Sequence, residues 1–216
     1  MTTPGMLENC VVVENDGLYE TAPEWKPLEN YESADPKEYI KRIREAGIVG
    51  FGGATFPTAV KLSPPPDKKI NWLIVNGVEC EPYLNCDNRL MLEGAEKVIK
   101  GLQLVMRIFP EAKGVIAIEN NKPQAISVMN DLVAKLGAEN IIVQPLAVKY
   151  PQGAEKMLIE AMTGQEYIMT ALPADVGCII LNVRTVFQIY RAIAEGNPAT
   201  TRIVTVTGDA VAHPKN

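Results

Sequence analysis

From Asn71 onward the chain alternates brief apolar runs with longer amphipathic ones. Residues 72–75, 114–118, 141–143 and 176–181 are short apolar stretches of strand length. Between them the apolar positions fall into helical period. Met91, Ala95, Val98, Leu102 and Val105 mark a helix over 88–109; Ile126, Met129, Val133 and Leu136 mark another over 123–136, stopped by Gly137. Residues 154–162 continue the pattern, and 183–194 place Val186, Ile189, Tyr190 and Ile193 on an inward face. Such alternation predicts an α/β fold, a largely parallel sheet with helices on both faces. In such sheets ligands sit beyond the carboxyl ends of the strands.

Upstream, Asp35-Pro36-Lys37-Glu38 combines an N-cap, a first-turn proline and a first-turn acid, so 36–46 reads as a helix ended by Gly47. Residues 1–34 look irregular: Val11-Val12-Val13 predicts a strand into an Asn15-Asp16-Gly17 turn, and Pro23, Trp25 and Pro27 suggest an extended linker. Before the first sheet strand comes Gly47-Ile-Val-Gly50-Phe-Gly52-Gly53-Ala-Thr55-Phe-Pro57-Thr58-Ala-Val-Lys61. Its glycines let the backbone approach a ligand closely. Pro57 at a first-turn position predicts a helix start, and a glycine loop running into a helix N-terminus is an anion site, with Lys61 one turn in. The same residues also fit a ligand-free connection. They do not fit a dinucleotide fingerprint, which needs a strand before the first glycine, nor a Walker A loop, which needs Gly-Lys-Ser or Gly-Lys-Thr.

The strand ends carry the candidate chemistry. Asn76-Gly77-Val78-Glu79-Cys80-Glu81-Pro82-Tyr83 follows the first strand. Asn76 can donate and accept at the edge of a heterocycle, and Glu79 and Glu81 can accept from ribose hydroxyls. Asp87-Asn88-Arg89 reads as the cap of the next helix. Tyr150, Gly153 and Glu155 follow the third strand: a ring cover, a point of close approach and an acid suited to a helix N-terminus. Asn182 after the fourth strand can cap a helix whose free N–H groups hold a phosphate. At each of these strand ends the bland alternative is a polar turn or a capped helix.

The 216 residues suffice for one large α/β domain, and 47% apolar content suits a sizeable core. A net charge of -5 argues against nucleic acid as partner. No apolar run approaches membrane-spanning length. Cys10, Cys80, Cys86 and Cys178 lack metal-ligand spacing, so no metal site is expected and a reducing compartment is. His213 is the sole histidine, which disfavours zinc catalysis and a Ser-His-Asp triad.

Together these segments carry a resemblance. The 50–58 loop with Lys61 is similar to the Gly-x-Gly-Gly-Ala-Gly-Phe-Pro-Thr loop of the flavoprotein subunit of respiratory complex I. The 76–83 and 149–156 motifs, Leu172-Pro-Ala-Asp-Val-Gly177, and Asn182-Val-x-Thr185 resemble RnfC, a subunit of the Rnf electron-transport complex. The match runs over about 36–208.

The resemblance implies a Rossmann-like domain over 35–200, with the glycine-rich FMN loop before the first strand. It implies the end of a truncated N-terminal module and linker over 1–34, and the start of a truncated domain over 201–216. FMN would lie in the cleft with NADH or NAD+ stacked on it, and electrons would leave singly to 4Fe-4S clusters in a missing C-terminal part.

Residue by residue, Gly50, Gly52, Gly53 and Lys61 would lie along FMN. Asn76 would contact the flavin ring, lined by Glu79 and Glu81. Tyr150, Gly153 and Glu155 would face FMN or NADH, and Asn182 the phosphate end. The flavin would carry the chemistry, with no catalytic side chain. An acid at the nucleotide ribose favours NADH over NADPH.

The implied partners are other subunits of a membrane complex, ferredoxin indirectly, and an ion-translocating machine on the cytoplasmic side of the membrane. Two related readings are a cobalamin reductase of propanediol-degrading compartments and a scaffold domain that has lost its cofactor. Thr55 stands where the pattern has glycine, and Arg184 at its variable position.

Overall fold

The structure, a computed structural model, describes residues 11–166 and 171–212; Cys10 and His213 lie outside them. Four strands, β1 (Trp72–Asn76), β2 (Lys113–Glu119), β3 (Ile141–Leu146) and β4 (Cys178–Asn182), form one sheet in the order β3-β2-β1-β4, with every pairing parallel. The chain builds outward from β1 to β3, then returns to place β4 on the other side of β1. That reversal leaves a crevice between β1 and β4 at their carboxyl ends.

Alternate strand residues serve opposite faces. Leu73, Val75, Ile116, Ile118, Ile179 and Leu181 join a large core under α1 (Pro36–Glu45), α3 (Cys86–Glu93), α4 (Ala95–Ile108), α5 (Pro123–Lys135) and α7 (Val183–Ala194). Ile74, Ala117, Cys178 and Ile180 face a smaller core closed by Leu158 and Ile159 of α6 (Glu155–Thr163). Helices thus cover both faces, unevenly. No helix among the described residues is long and apolar enough to cross a membrane.

Helix α1 starts as its sequence predicts: the Asp35 carboxylate accepts from Lys37 N, Pro36 occupies the first turn, and Gly47 follows at φ 66°. Tyr39 and Ile43 are its buried anchors. Residues from Trp25 already join the body. The Arg42 guanidinium lies 4.9 Å from the Trp25 ring, Leu28 N donates to Ile193 O, and Tyr31 meets Tyr190 edge-on.

Several sequence expectations are corrected. Val11 to Val13 are exposed and form no strand. The single helix over 88–109 is two, α3 and α4, parted at Gly94, where a side chain would come within 2.9 Å of the Phe187 ring. The fourth strand starts at Cys178, because Pro173–Val176 is a 3-10 turn closed by Gly177 at φ 71°. The helix after the glycine loop, α2 (Thr58–Lys61), is one turn long with Pro57 as its N-cap, and Thr58 N is already bonded to Ile48 O. A single turn with a committed N–H is not the anion site its sequence suggests.

Candidate functional site

A cleft of about 510 Å³ opens where the strand order reverses. Its floor is set by Asn76 and Asn182, which end β1 and β4 and are partners in the β-ladder register. Two cavities adjoin it: one of about 410 Å³ towards β2 and β3, bounded by Glu79, Glu81 and Tyr150, and one of about 180 Å³ under the glycine loop, bounded by Lys61 and Glu155. Every candidate residue named from the sequence lines one of these three spaces.

The glycine loop is a small hairpin folded over this crevice. Gly50 N donates to Phe56 O, Val49 and Pro57 form an antiparallel bridge, and Phe51 N donates to Thr185 Oγ1 at the start of α7. Gly52 lies where a Cβ would come 3.4 Å from Asn182 Cβ, and Gly53 holds φ 123°. Glycine at 53 meets a backbone requirement, and glycine at 52 leaves the loop a bare van der Waals distance from Asn182. Thr55 sits at φ 53°, a conformation that strains a β-branched residue.

The candidate side chains are tied together. Asn76 Nδ2 donates to Gly153 O at 2.9 Å, and Asn76 Oδ1 accepts from Val78 N. Gly153 is flanked by Cys80, whose sulfur accepts from Gly153 N. Glu79, at φ 50°, turns its carboxylate onto Asp87 N (2.7 Å) and Asn88 N (3.0 Å), so Glu79 caps α3, not the Asp87-Asn88-Arg89 triplet expected. Glu81 Oε1 accepts from Tyr150 Oη at 3.0 Å. Lys61 Nζ donates to Glu155 Oε1 at 2.8 Å and to Ile180 O at 3.0 Å, joining α2, α6 and β4. Asn182 caps α7 by accepting from Arg184 N, while its Nδ2 donates to Asp87 Oδ2 at 2.7 Å.

The N-termini of α3, α6 and α7 all converge on the cleft through Asp87, Ala154 and Asn182. Their positive dipole ends favour negative charge there. Glu79 answers that of α3 and Glu155 that of α6; at α7 the neighbours are Asn182 and Arg184. Burial pushes the Glu79 carboxyl up, against the two backbone N–H groups that stabilise its charge. Burial likewise raises Asp87, opposed by the Asn182 hydrogen bond and Arg184. The Cys86 thiol is raised by burial and by Asp87. Glu79, Cys86 and Asp87 bring ligand-type atoms within 4.8 Å of one another, but the carboxylates already serve α3 and Asn182.

Residues 43–191 match the model of the Nuo51 FMN-binding domain. The chain belongs to that family. Among curated relatives it is 47% identical over 207 residues to a subunit of the proton-translocating ferredoxin:NAD(+) oxidoreductase complex of Clostridium ljungdahlii, covering 96% of this chain and 45% of that one. It is 48% identical over 206 residues to the Na(+)-translocating counterpart of Acetobacterium woodii, covering 95% and 46%. The corresponding member of the ion-translocating oxidoreductase complex of Haemophilus influenzae shares 42% over 212 residues, covering 98% and 31%. The chain thus spans about half, or less, of the length of these relatives. A solved NAD+-reducing NiFe hydrogenase in its H2-reduced state superposes with a TM-score of 0.62 at 25% identity, over 77% of this chain and 33% of that one. The RnfC resemblance drawn from the motifs stands, as does the Rossmann-like α/β fold.

The sequence reading missed some of the cleft. Arg202, whose guanidinium donates to Phe51 O, reaches the rim from the C-terminal segment, and no local pattern announces it. Asp87 is the partner of Asn182 across 95 residues of sequence. The end of β2, Glu119-Asn120-Asn121-Lys122, is as polar as the other strand ends and also borders the adjoining cavity.

Proposed function

We propose that this chain is the FMN- and NADH-binding unit of a membrane-associated, ion-translocating ferredoxin:NAD+ oxidoreductase complex. The carrying observation is that the glycine loop, the ends of β1 and β4, and the starts of α3, α6 and α7 close on one cleft. The space fits such a cofactor: its volume lies within the roughly 300–1,000 Å³ usual for ligand sites, and Gly52 and Gly153 leave backbone surface that a Cβ would fill.

When bound, FMN supplies the conversion between hydride exchange with NADH and single-electron delivery to 4Fe-4S clusters outside this chain. The protein's part is binding and orientation. Gly50, Gly52 and Gly53 let the loop backbone lie along the cofactor, and Asn182 with the N-terminus of α7 holds its phosphate. Asn76 meets the ring, with Glu79 and Glu81 beside it. Tyr150, Gly153 and Glu155 face the ring and NADH, and Lys61 brings an ammonium to the cofactor's negative charge. No side chain acts as nucleophile. Other members of the complex and, indirectly, ferredoxin are the partners, and the chain sits peripherally on the cytoplasmic side of the membrane. The curated relatives favour this reading over a cobalamin reductase.

Titrating the chain with FMN by flavin fluorescence, then adding NADH without oxygen, tests the proposal. Saturable binding followed by loss of oxidised-flavin absorbance is expected. Lys61→Ala weakens FMN about tenfold, the worth of one charge-assisted contact. Glu155→Gln leaves FMN affinity nearly unchanged but slows NADH-driven reduction. Wild-type protein that binds no FMN points to the scaffold reading; unchanged behaviour in both variants removes the roles given to Lys61 and Glu155.

A further inference from the structure

Where β1 ends, the chain must leave the sheet and expose Asn76, Glu79 and Glu81 towards the cleft. Gly77 N still bonds to Ala117 O of β2, and Val78 is fully buried in the smaller core. Beyond that point the ladder supplies no partner, and Glu79 adopts φ 50°, which a side-chain-bearing residue rarely holds unaided. The side chain that meets this turn comes from the far end of β2. Lys122 Nζ donates to Val78 O at 2.8 Å and lies 3.5 Å from Glu79 O. It also reaches Asn121 Oδ1 at 3.3 Å.

Lys122 is itself held. Its side chain is 11% exposed and stands 3.6 Å from Glu119 Oε2, on a carboxylate only 3% exposed. Asn121 Nδ2 lies 3.4 Å from the same oxygen, while Glu119 Oε1 is buried without a hydrogen-bond partner among the described residues. A buried carboxylate with an unfilled oxygen costs stability, and the Lys122 ammonium beside it offsets part of that cost. The same pairing fixes the ammonium under the strained turn.

We propose that Lys122, with Glu119 as its buried counter-charge, is the positioning residue that sets the 76–81 turn against the cleft. It acts through backbone carbonyls, so its effect on a ligand passes through Asn76, Glu79 and Glu81. Its influence on flavin rests on the function proposed above; its influence on the turn does not.

The test compares wild-type chain with Lys122→Met and with the double variant Glu119→Gln/Lys122→Met. The single change strands a buried carboxylate and lowers stability; the double change removes that charge and restores most of it. Hydrogen exchange at the Val78, Asp87 and Asn88 amides, which report Asn76 and the Glu79 cap, is expected to speed up in both variants. FMN and riboflavin are expected to weaken alike, by about tenfold, in the double variant as in the single one, because the loss lies at the turn and not at the phosphate. Exchange at those amides unchanged in the double variant overturns the proposal, as does flavin affinity that recovers together with stability. Wild-type protein that binds neither flavin defeats the function reading instead, and the exchange result then decides the role of Lys122 alone.

Discussion

Thr55 carries a cost that its position in the loop makes visible. A β-branched residue at φ 53° is strained, whereas glycine holds that backbone freely. Thr55→Gly removes the strain but gives the unfolded chain more freedom, so a net gain of about 0.5–1 kcal/mol is expected. Urea unfolding measures it, and a loss would mean that the threonine side chain makes a contact worth more than the strain. Asp87 gives a second prediction at this scale. Burial raises its carboxyl in the folded state, so the folded protein holds that proton more tightly than the unfolded chain. The contribution of Asp87 to stability is therefore fullest in acid and declines as pH rises from the ordinary carboxylate range through the raised folded value. Asp87→Asn keeps an oxygen for Asn182 Nδ2 and abolishes this decline. Denaturation at a series of pH values should show the variant gaining on wild type as pH rises; a constant difference would mean that burial is not what governs Asp87.

At the scale of elements, hydrophobic periodicity made most of the fold readable. Strand β1 and helices α1, α5 and α7 lie almost where their patterns put them, because each buries one face by local alternation. What local pattern could not show was packing between distant elements. Gly94 splits a helical run because Phe187 of α7 fills the space, and Glu79 caps α3 from outside that helix. Lys122 carries no local signal of its role, because its partners Val78 and Glu79 lie 44 and 43 residues away. Gly101 makes the same point quantitatively. A Cβ there would stand 2.0 Å from Val186 O, so α4 and α7 touch backbone to backbone. Gly101→Ala should cost about 2–4 kcal/mol despite alanine's better helix propensity, since neither helix can yield without moving its core. A thermal melt checks this; a variant as stable as wild type would show that the two helices can separate freely.

At the scale of the whole molecule, the candidate residues could be picked out along the chain, but the contacts that join them could not. Asn76 and Asn182 stood out as polar strand ends, but only the order β3-β2-β1-β4 makes them neighbours in register. The same topology means that a cofactor in the cleft would touch parts that otherwise meet at their edges: the glycine loop, the 76–81 turn, α3, α6 and α7. A ligand that binds only the folded form stabilises it by mass action, about 2.7 kcal/mol at a hundredfold excess over Kd. For a chain of this size that corresponds to a rise in melting temperature of roughly 5–10 °C. Asn182→Ala should lose much of this rise for FMN but little for riboflavin, because the proposed function puts Asn182 at the phosphate and riboflavin has none. Differential scanning fluorimetry with both flavins reads the two shifts side by side. Equal losses for both flavins would move Asn182 from the phosphate to the ring. A melting temperature indifferent to FMN, in protein whose fluorescence titration saturates, would mean that the unfolded chain binds the flavin as well as the folded one does, so that the cleft is not what recognises it.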